Sequence, residues 1–243
     1  MLTPVRRFRK YLANTSWILS DKLAGLAMTF VVSIFVARYF GPERFGIFSY
    51  ALSIMSLFAV AGHMGLSGIV VRELVKHPGN SAQILGTVLL LKIAGYGAAV
   101  TCIVVLALTS EDIGSEGFWV VVIVGSSLLL RPWDVVEFWF HSKVQAKYGA
   151  IANLISRAGS AVMKLAIVAL GAGILLLAFA QFAQGLILTA ALLYFYIRKS
   201  DIPIFSWKFD RADAKRLLAQ GAMVFAGSAF AVVNLKVDQI MIR

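Results

Sequence analysis

This chain has little of what soluble catalysis draws on. It holds one cysteine, Cys102, inside an apolar run, so it carries neither a disulfide framework nor a C-x-x-C site. Its three histidines, His63, His77 and His141, are scattered, and no two have metal-ligand spacing. It lacks the G-x-x-x-x-G-K-[ST] loop that cradles ATP phosphates, and it lacks the H-E-x-x-H and G-x-S-x-G signatures of hydrolases. These absences predict no enzymatic activity, no cofactor and no metal. Charge is scarce as well. Only 14% of residues are charged, where a soluble domain carries about 25%.

What replaces charge is apolar surface. Hydrophobic residues make up 60% of the 243 positions, and the mean hydropathy is +0.83. Crossing the hydrocarbon core takes about 20 consecutive apolar residues, and seven stretches qualify: Trp17–Tyr39, Gly46–Leu66, Ala82–Leu108, Gly117–Phe140, Gly149–Leu170, Ile174–Ile197 and Leu217–Ile242. The fourth is interrupted by Arg131, Pro132 and Asp134, which predicts a kink or an early end. The expected fold class is an all-α polytopic membrane protein, a bundle of about seven transmembrane helices. The basic N-terminus followed by apolar sequence resembles a signal peptide, but the apolar run continues to Phe40 and no A-x-A site follows, so it reads as an uncleaved span.

A net charge of +11 could suit nucleic acid, but the charges lie between spans, as topology signals do, and no nucleic-acid partner is expected. The N-terminal segment and the second, fourth and sixth connections together hold 15 Lys and Arg, whereas the other connections hold only Arg38 and Arg44. The third carries Glu111, Asp112 and Glu116 instead. The bias predicts a cytoplasmic N-terminus in a multi-pass membrane protein.

Several charges nevertheless fall inside spans. A cation in the hydrocarbon costs at least a few kcal/mol and usually faces a bundle interior or a wet cavity. Asn153, Arg157, Ser160 and Lys164 recur at spacings of four, three and four, so they share one helix face. Arg157 and Lys164 lie about 10 Å apart along the axis. Two cations on one stripe could hold a phosphate or pyrophosphate; alternatively Lys164 snorkels to an interface and Arg157 pairs with an acid on another span. Lys92 sits near mid-depth of the third span, where snorkelling is hard. Asp21 and Lys22 open the first span and are read either as interfacial or as functional. From Asp21 a run of small residues, Gly25, Thr29, Ser33 and Ala37, follows at four-residue intervals and reads foremost as a packing seam. Arg131, Asp134 and Glu137 recur every three residues and could form an ion-pair ladder, either an interfacial anchor or a gate. Asp238, in the seventh stretch, could bind a coupling cation, as could Asp21, or Asp238 could pair with Lys236. The cationic-cavity candidates are thus Arg157, Lys164, Lys92 and Lys22.

The run Val36-Ala37-Arg38-Tyr39-Phe40-Gly41-Pro42-Glu43-Arg44-Phe45-Gly46-Ile47-Phe48-Ser49-Tyr50-Ala51 closes one span and opens the next. It resembles the ARxLGPExFGxxSY signature of Wzx-type polysaccharide flippases, in the multidrug/oligosaccharidyl-lipid/polysaccharide (MOP) exporter superfamily. Gly65-Leu66 followed by Val71-Arg72-Glu73-Leu74, Arg131-Pro132 with the aromatics that follow, and Asn234 to Met241 are further similarities. The resemblance implies two six-helix lobes. Residues 1–16 would be a basic cytoplasmic N-terminus, 17–197 the first lobe, 198–216 a basic cytoplasmic loop, and 217–243 the first helix of a second, truncated lobe. It implies a flippase that moves undecaprenyl-pyrophosphate-linked oligosaccharide across the bacterial cytoplasmic membrane by alternating access, for surface polysaccharide synthesis. Its partners would be the lipid-linked anionic oligosaccharide, membrane lipid and a polysaccharide polymerase. Two alternatives stay open: a drug or cation exporter of the same superfamily, for which acidic cavity residues are expected, and a non-transporting membrane fragment.

Overall fold

The structure, a computed structural model, describes residues 4–110 and 112–222. Every regular element among them is helical: α1 (Pro4–His63), α2 (Leu66–Lys76), α3 (Ser81–Ser110), α4 (Glu116–Ser126), α5 (Val135–Ser142), α6 (Ala146–Ala169), α7 (Ile174–Lys199) and α8 (211–222). Five helical stretches are long and apolar enough to cross a membrane. The first of them, Asn14–Val60, has 47 residues. A straight helix of that length would reach about 70 Å, more than twice the hydrocarbon thickness. It does not run straight. Gly41 breaks it with φ 71° and ψ 175°, a conformation essentially confined to glycine. Pro42 follows at the first position of the new limb, where its missing N–H is harmless. Met28, Val32 and Val36 before the break line one cavity with Phe45, Phe48 and Leu52 after it. The two limbs therefore fold back on each other, and α1 makes two of six crossings.

The ends of the bundle sort as the charge pattern predicts. Tyr39 donates to the Ala172 carbonyl at 3.4 Å, and Arg44 pairs with Glu116 at 3.7 Å, so the first, third and fifth connections share one end. At the other end Asn14 accepts from the Ala146 N–H at 2.8 Å, the Asp210 N–H donates to Thr87 at 3.0 Å, and Arg72 donates to Gln220 at 2.7 Å. This second end carries the basic connections.

Two details differ from the apolar pattern. The second crossing stops at His63, because Met64 and Gly65 adopt left-handed backbone with φ 50° and 64°. The chain then forms α2, which sequence reading leaves as a connection. Leu66, Ile69, Val70 and Leu74 of α2 are buried, as is Glu73, which meets Arg216 at 3.1 Å. The fourth apolar stretch is interrupted as expected: α4 gives way to a 3-10 segment, Ser127–Asp134, and then to α5. Pro132 lacks an N–H and its ring conflicts with an α-helical carbonyl one turn back. The seventh stretch is described only as far as residue 222, so Lys236 and Asp238 lie outside the described residues.

The core falls into two apolar clusters. One joins Val32, Phe48, Ile54, Tyr96, Ile103, Phe118, Val124, Leu128 and Leu177 toward the acidic end. The other joins Leu66, Leu74, Leu85, Val88, Val135, Phe140, Ala152, Leu192 and Tyr196 toward the basic end. Along α3 and α7, Lys92 and the amides Gln181 and Gln184 fall between the two.

Gly41 tests this account. Gly41→Val forces a β-branched residue into a glycine-only conformation and is expected to cost about 1–3 kcal/mol. A lowered unfolding midpoint of the detergent-purified protein measures it, whereas an unchanged midpoint refutes the role given to Gly41.

Candidate functional site

Four helical segments carry polar groups into the layer between the clusters. On α6 the predicted stripe is real, and three of its four members have distinct partners. Asn153 donates to Glu137 at 3.3 Å. The Nη1 of Arg157 donates to the Asp21 carboxylate at 2.5 Å and to the Asp21 carbonyl at 2.8 Å. Lys164 donates to Gln181 on α7 at 2.9 Å and lies 5.9 Å from the Phe48 ring centroid. Ser160 is 2% exposed, and its hydroxyl has no hydrogen-bond partner among the described residues.

The small-residue seam on α1 explains how Arg157 is seated. Gly25 is buried one turn beyond Asp21, and the guanidinium lies against it so closely that any Cβ there would collide with Arg157. On another face of the same limb, Leu19, Leu23, Leu26 and Phe30 form an exposed apolar stripe at helical spacing. The two faces of α1 thus divide between cation seating and an apolar exterior.

These pieces enclose a cavity of about 120 Å³ between both limbs of α1, α6 and α7. Its polar lining comprises Arg157, Ser160, Lys164, Gln184, Thr29, Ser33 and Ser49. Among the described residues, no carboxylate is in that lining. Asp21 occupies only Nη1 of Arg157, so Nε and Nη2 of the guanidinium remain as donors. Lys164 is held by a neutral amide and has no carboxylate partner among the described residues. Among the described residues the wall therefore offers cationic and hydroxyl donors, with Asp21 bonded to one side of the guanidinium.

The other candidates sort differently. Lys92 is 0% exposed and pairs with Asp134, and its ammonium lies 4.5 Å from the Phe138 ring centroid. It ties α3 to the 3-10 segment and is not part of the cavity lining. Lys22 is exposed on α1 and is likewise absent from that lining. The ladder Arg131–Asp134–Glu137 does not form: Asp134 takes Lys92, Glu137 takes His141 at 3.7 Å and Asn153, and Arg131 is exposed with no ion pair among the described residues. Residues three apart eclipse in a 3-10 winding, so spacing does not prevent the pairing; Asp134 is instead taken by Lys92 of α3. Asp21 is committed to Arg157. Sequence reasoning missed Gln181 and Gln184, although two amides three residues apart inside an apolar span were a legible signal.

The architecture is that of an all-helical, multi-pass membrane protein. The chain belongs to the polysaccharide biosynthesis protein family, whose family model matches residues 11–243. Its fold is similar to an outward-facing multidrug resistance MATE family transporter of the MOP superfamily, with TM-score 0.68 and 14% identity over 89% of this chain and 52% of that one. An inward-facing MATE family transporter of the same superfamily gives TM-score 0.63 and 14% identity over 95% and 55%. The chain spans about half the length of these two structures. Among curated proteins, none matches.

Lys92 and Asp134 give a test that separates structure from binding. Lys92→Met alone leaves a buried carboxylate without its partner and is expected to destabilise by about 3–5 kcal/mol, while Lys92→Met with Asp134→Leu is near neutral. Protein yield and unfolding midpoint in detergent report both. A single variant as stable as the parent contradicts the structural role.

Proposed function

We propose that the chain forms one half of a flippase for lipid-linked anionic oligosaccharide, with the cavity of Arg157, Ser160 and Lys164 receiving the phosphorylated head. The observation that carries this reading is the cavity wall itself. Two cations flank an orphan buried hydroxyl on a single helix face, and among the described residues no carboxylate lines the space. Phosphoryl oxygens only accept hydrogen bonds, and the wall answers with Nε and Nη2 of Arg157, the Lys164 ammonium and hydroxyl donors.

The mechanism follows the chain's own groups. Asp21 and Gly25 hold the guanidinium at mid-span, so Arg157 meets the ligand pre-aimed and loses little rotamer freedom on binding. Lys164 stands nearer the acidic end, so a pyrophosphate moving along the α6 face exchanges one cation for the next. The six described crossings serve as the first lobe. A second lobe closes the opposite wall and rocks against it about this mid-depth site. No bond is made or broken, so the protein acts without a catalytic residue. Membership of the polysaccharide biosynthesis family supports the oligosaccharide cargo. The Lys and Arg bias supports a cytoplasmic N-terminus in a bacterial cytoplasmic membrane, and the flipped product is then available to a polymerase. A drug-cation exporter would require carboxylates on this wall.

In the full-length protein, Arg157→Ala is expected to lower ligand affinity about tenfold to a hundredfold, the worth of lost charge-assisted hydrogen bonds. Gly25→Leu should reproduce much of the effect by displacing the guanidinium. Surface polysaccharide restored to a flippase-deficient strain, normalised to membrane protein level, is the measurement. Wild-type polymer from both variants would sink the proposal.

A further inference from the structure

The first turn of α6 and the last turns of α7 meet at the basic end, where three cations lie on a shelf of aromatic rings. The rings of Tyr194, Phe195 and Tyr148 stand in a row, with successive centroids 5.6 and 5.5 Å apart. The Arg198 guanidinium lies 5.6 Å from the Tyr194 centroid. Lys147 of α6 and Lys199 of α7 share the Tyr148 ring, at 4.8 and 5.7 Å. A ring face attracts a cation through its quadrupole and takes up none of its N–H groups. Among the described residues none of the three cations donates a side-chain hydrogen bond or enters an ion pair. Asp201, two positions beyond Lys199, is exposed and pairs with none of them. The three are therefore held in place with their donors free.

We propose that this corner is a binding site for an anionic phospholipid of the leaflet at the basic end. A topology signal needs only the number of Lys and Arg at one end; it does not need ammonium groups from two helices converging on one ring. Tyrosine suits the headgroup level, so Tyr148 and Tyr194 set the cations at the depth of a lipid phosphate. Leu186, Tyr194 and Ile197 are exposed on one face of α7, and this apolar strip leads along the helix to Arg198, as an acyl chain leads to its headgroup. The phosphate accepts from Lys147 and Lys199, and the Arg198 fork closes the outer side. None of these residues lines the cavity of Arg157 and Lys164, so the site is independent of what that cavity receives. Helices α6 and α7 are joined by a short turn at their other end. A lipid that bonds Lys147 and Lys199 together staples the open end of this hairpin, and so fixes the helix that carries Arg157 and Lys164.

The test titrates the purified full-length protein in detergent with phosphatidylglycerol and with phosphatidylcholine of the same acyl chains, and counts retained lipid by native mass spectrometry. Each basic residue at an anionic lipid favours it about fivefold, so the three together are expected to favour phosphatidylglycerol about a hundredfold. Lys147→Gln with Lys199→Gln should reduce the ratio to about fivefold. Lys208→Gln with Lys215→Gln removes the same charge from the same end, away from the Tyr148 and Tyr194 rings, and should leave the ratio unchanged. All the substituted side chains are exposed and unpaired among the described residues, so both variants should unfold at the parent's midpoint. Equal retention of the two lipids by the parent, a ratio preserved in the first variant, or an equal loss in both variants overturns the site.

Discussion

Charge inside hydrocarbon persists only where a partner or water compensates it, and that constraint orders the middle of this bundle. Lys92 and Arg157 come from different helices, yet each lies between the two apolar clusters, and Lys164 stands over Phe48 of the first. Each finds a different answer. Lys92 takes a carboxylate and an aromatic face and is sealed. Arg157 takes a carboxylate with part of its guanidinium and turns the rest to a cavity. Lys164 takes only a neutral amide and remains the least compensated of the three.

That gradation separates holding the fold from holding a ligand. A sealed pair contributes geometry: Lys92–Asp134 fixes the irregular 3-10 segment against α3, where Pro132 prevents an ordinary helix from doing so. A half-committed cation can bind without drifting, because its tether is already made. Gly25 is the device that permits this. Without a Cβ it lets the guanidinium lie against α1 beside Asp21, so the small-residue seam seats a side chain at that position.

The apolar runs made the crossings legible, since length and composition alone mark a span. The Lys and Arg count made the two ends legible. The stripe on α6 was legible too, because 3.6-residue periodicity places Asn153, Arg157, Ser160 and Lys164 on one face whatever they touch. Their partners were not. Nothing in the one-dimensional pattern says that Lys92 meets Asp134 across 42 positions while Arg157 meets Asp21 across 136. The predicted local ladder failed for a related reason: Lys92, 42 positions away, takes Asp134, and Glu137 turns to His141 and Asn153. Helix α2 escaped notice because its buried Glu73 and flanking Arg72 read as a polar connection until Arg216, far along the chain, supplied the counter-charge.

The same long-range pairing shows how the connection after α7 is built. Residues 200–210 do not hang free at the basic end. Trp207 donates to the Tyr196 hydroxyl at 3.1 Å, the Asp210 N–H reaches Thr87, and Gln83 donates to Asp213 at 2.8 Å. Arg216 then joins Asp213 to the buried Glu73, and Gln220 accepts from Arg72. The chain thus enters α8 from a fixed place on α2 and α3, on the opposite side of the polar layer from the loop that joins α6 to α7. The described ion pairing at the other end is a solvent-exposed contact between Arg44 and Glu116. An exposed pair of that kind contributes little, about 0–1 kcal/mol, so the two ends are held by different means: hydrogen bonds and ion pairs that gather on the buried Glu73 at the basic end, and apolar packing at the acidic end.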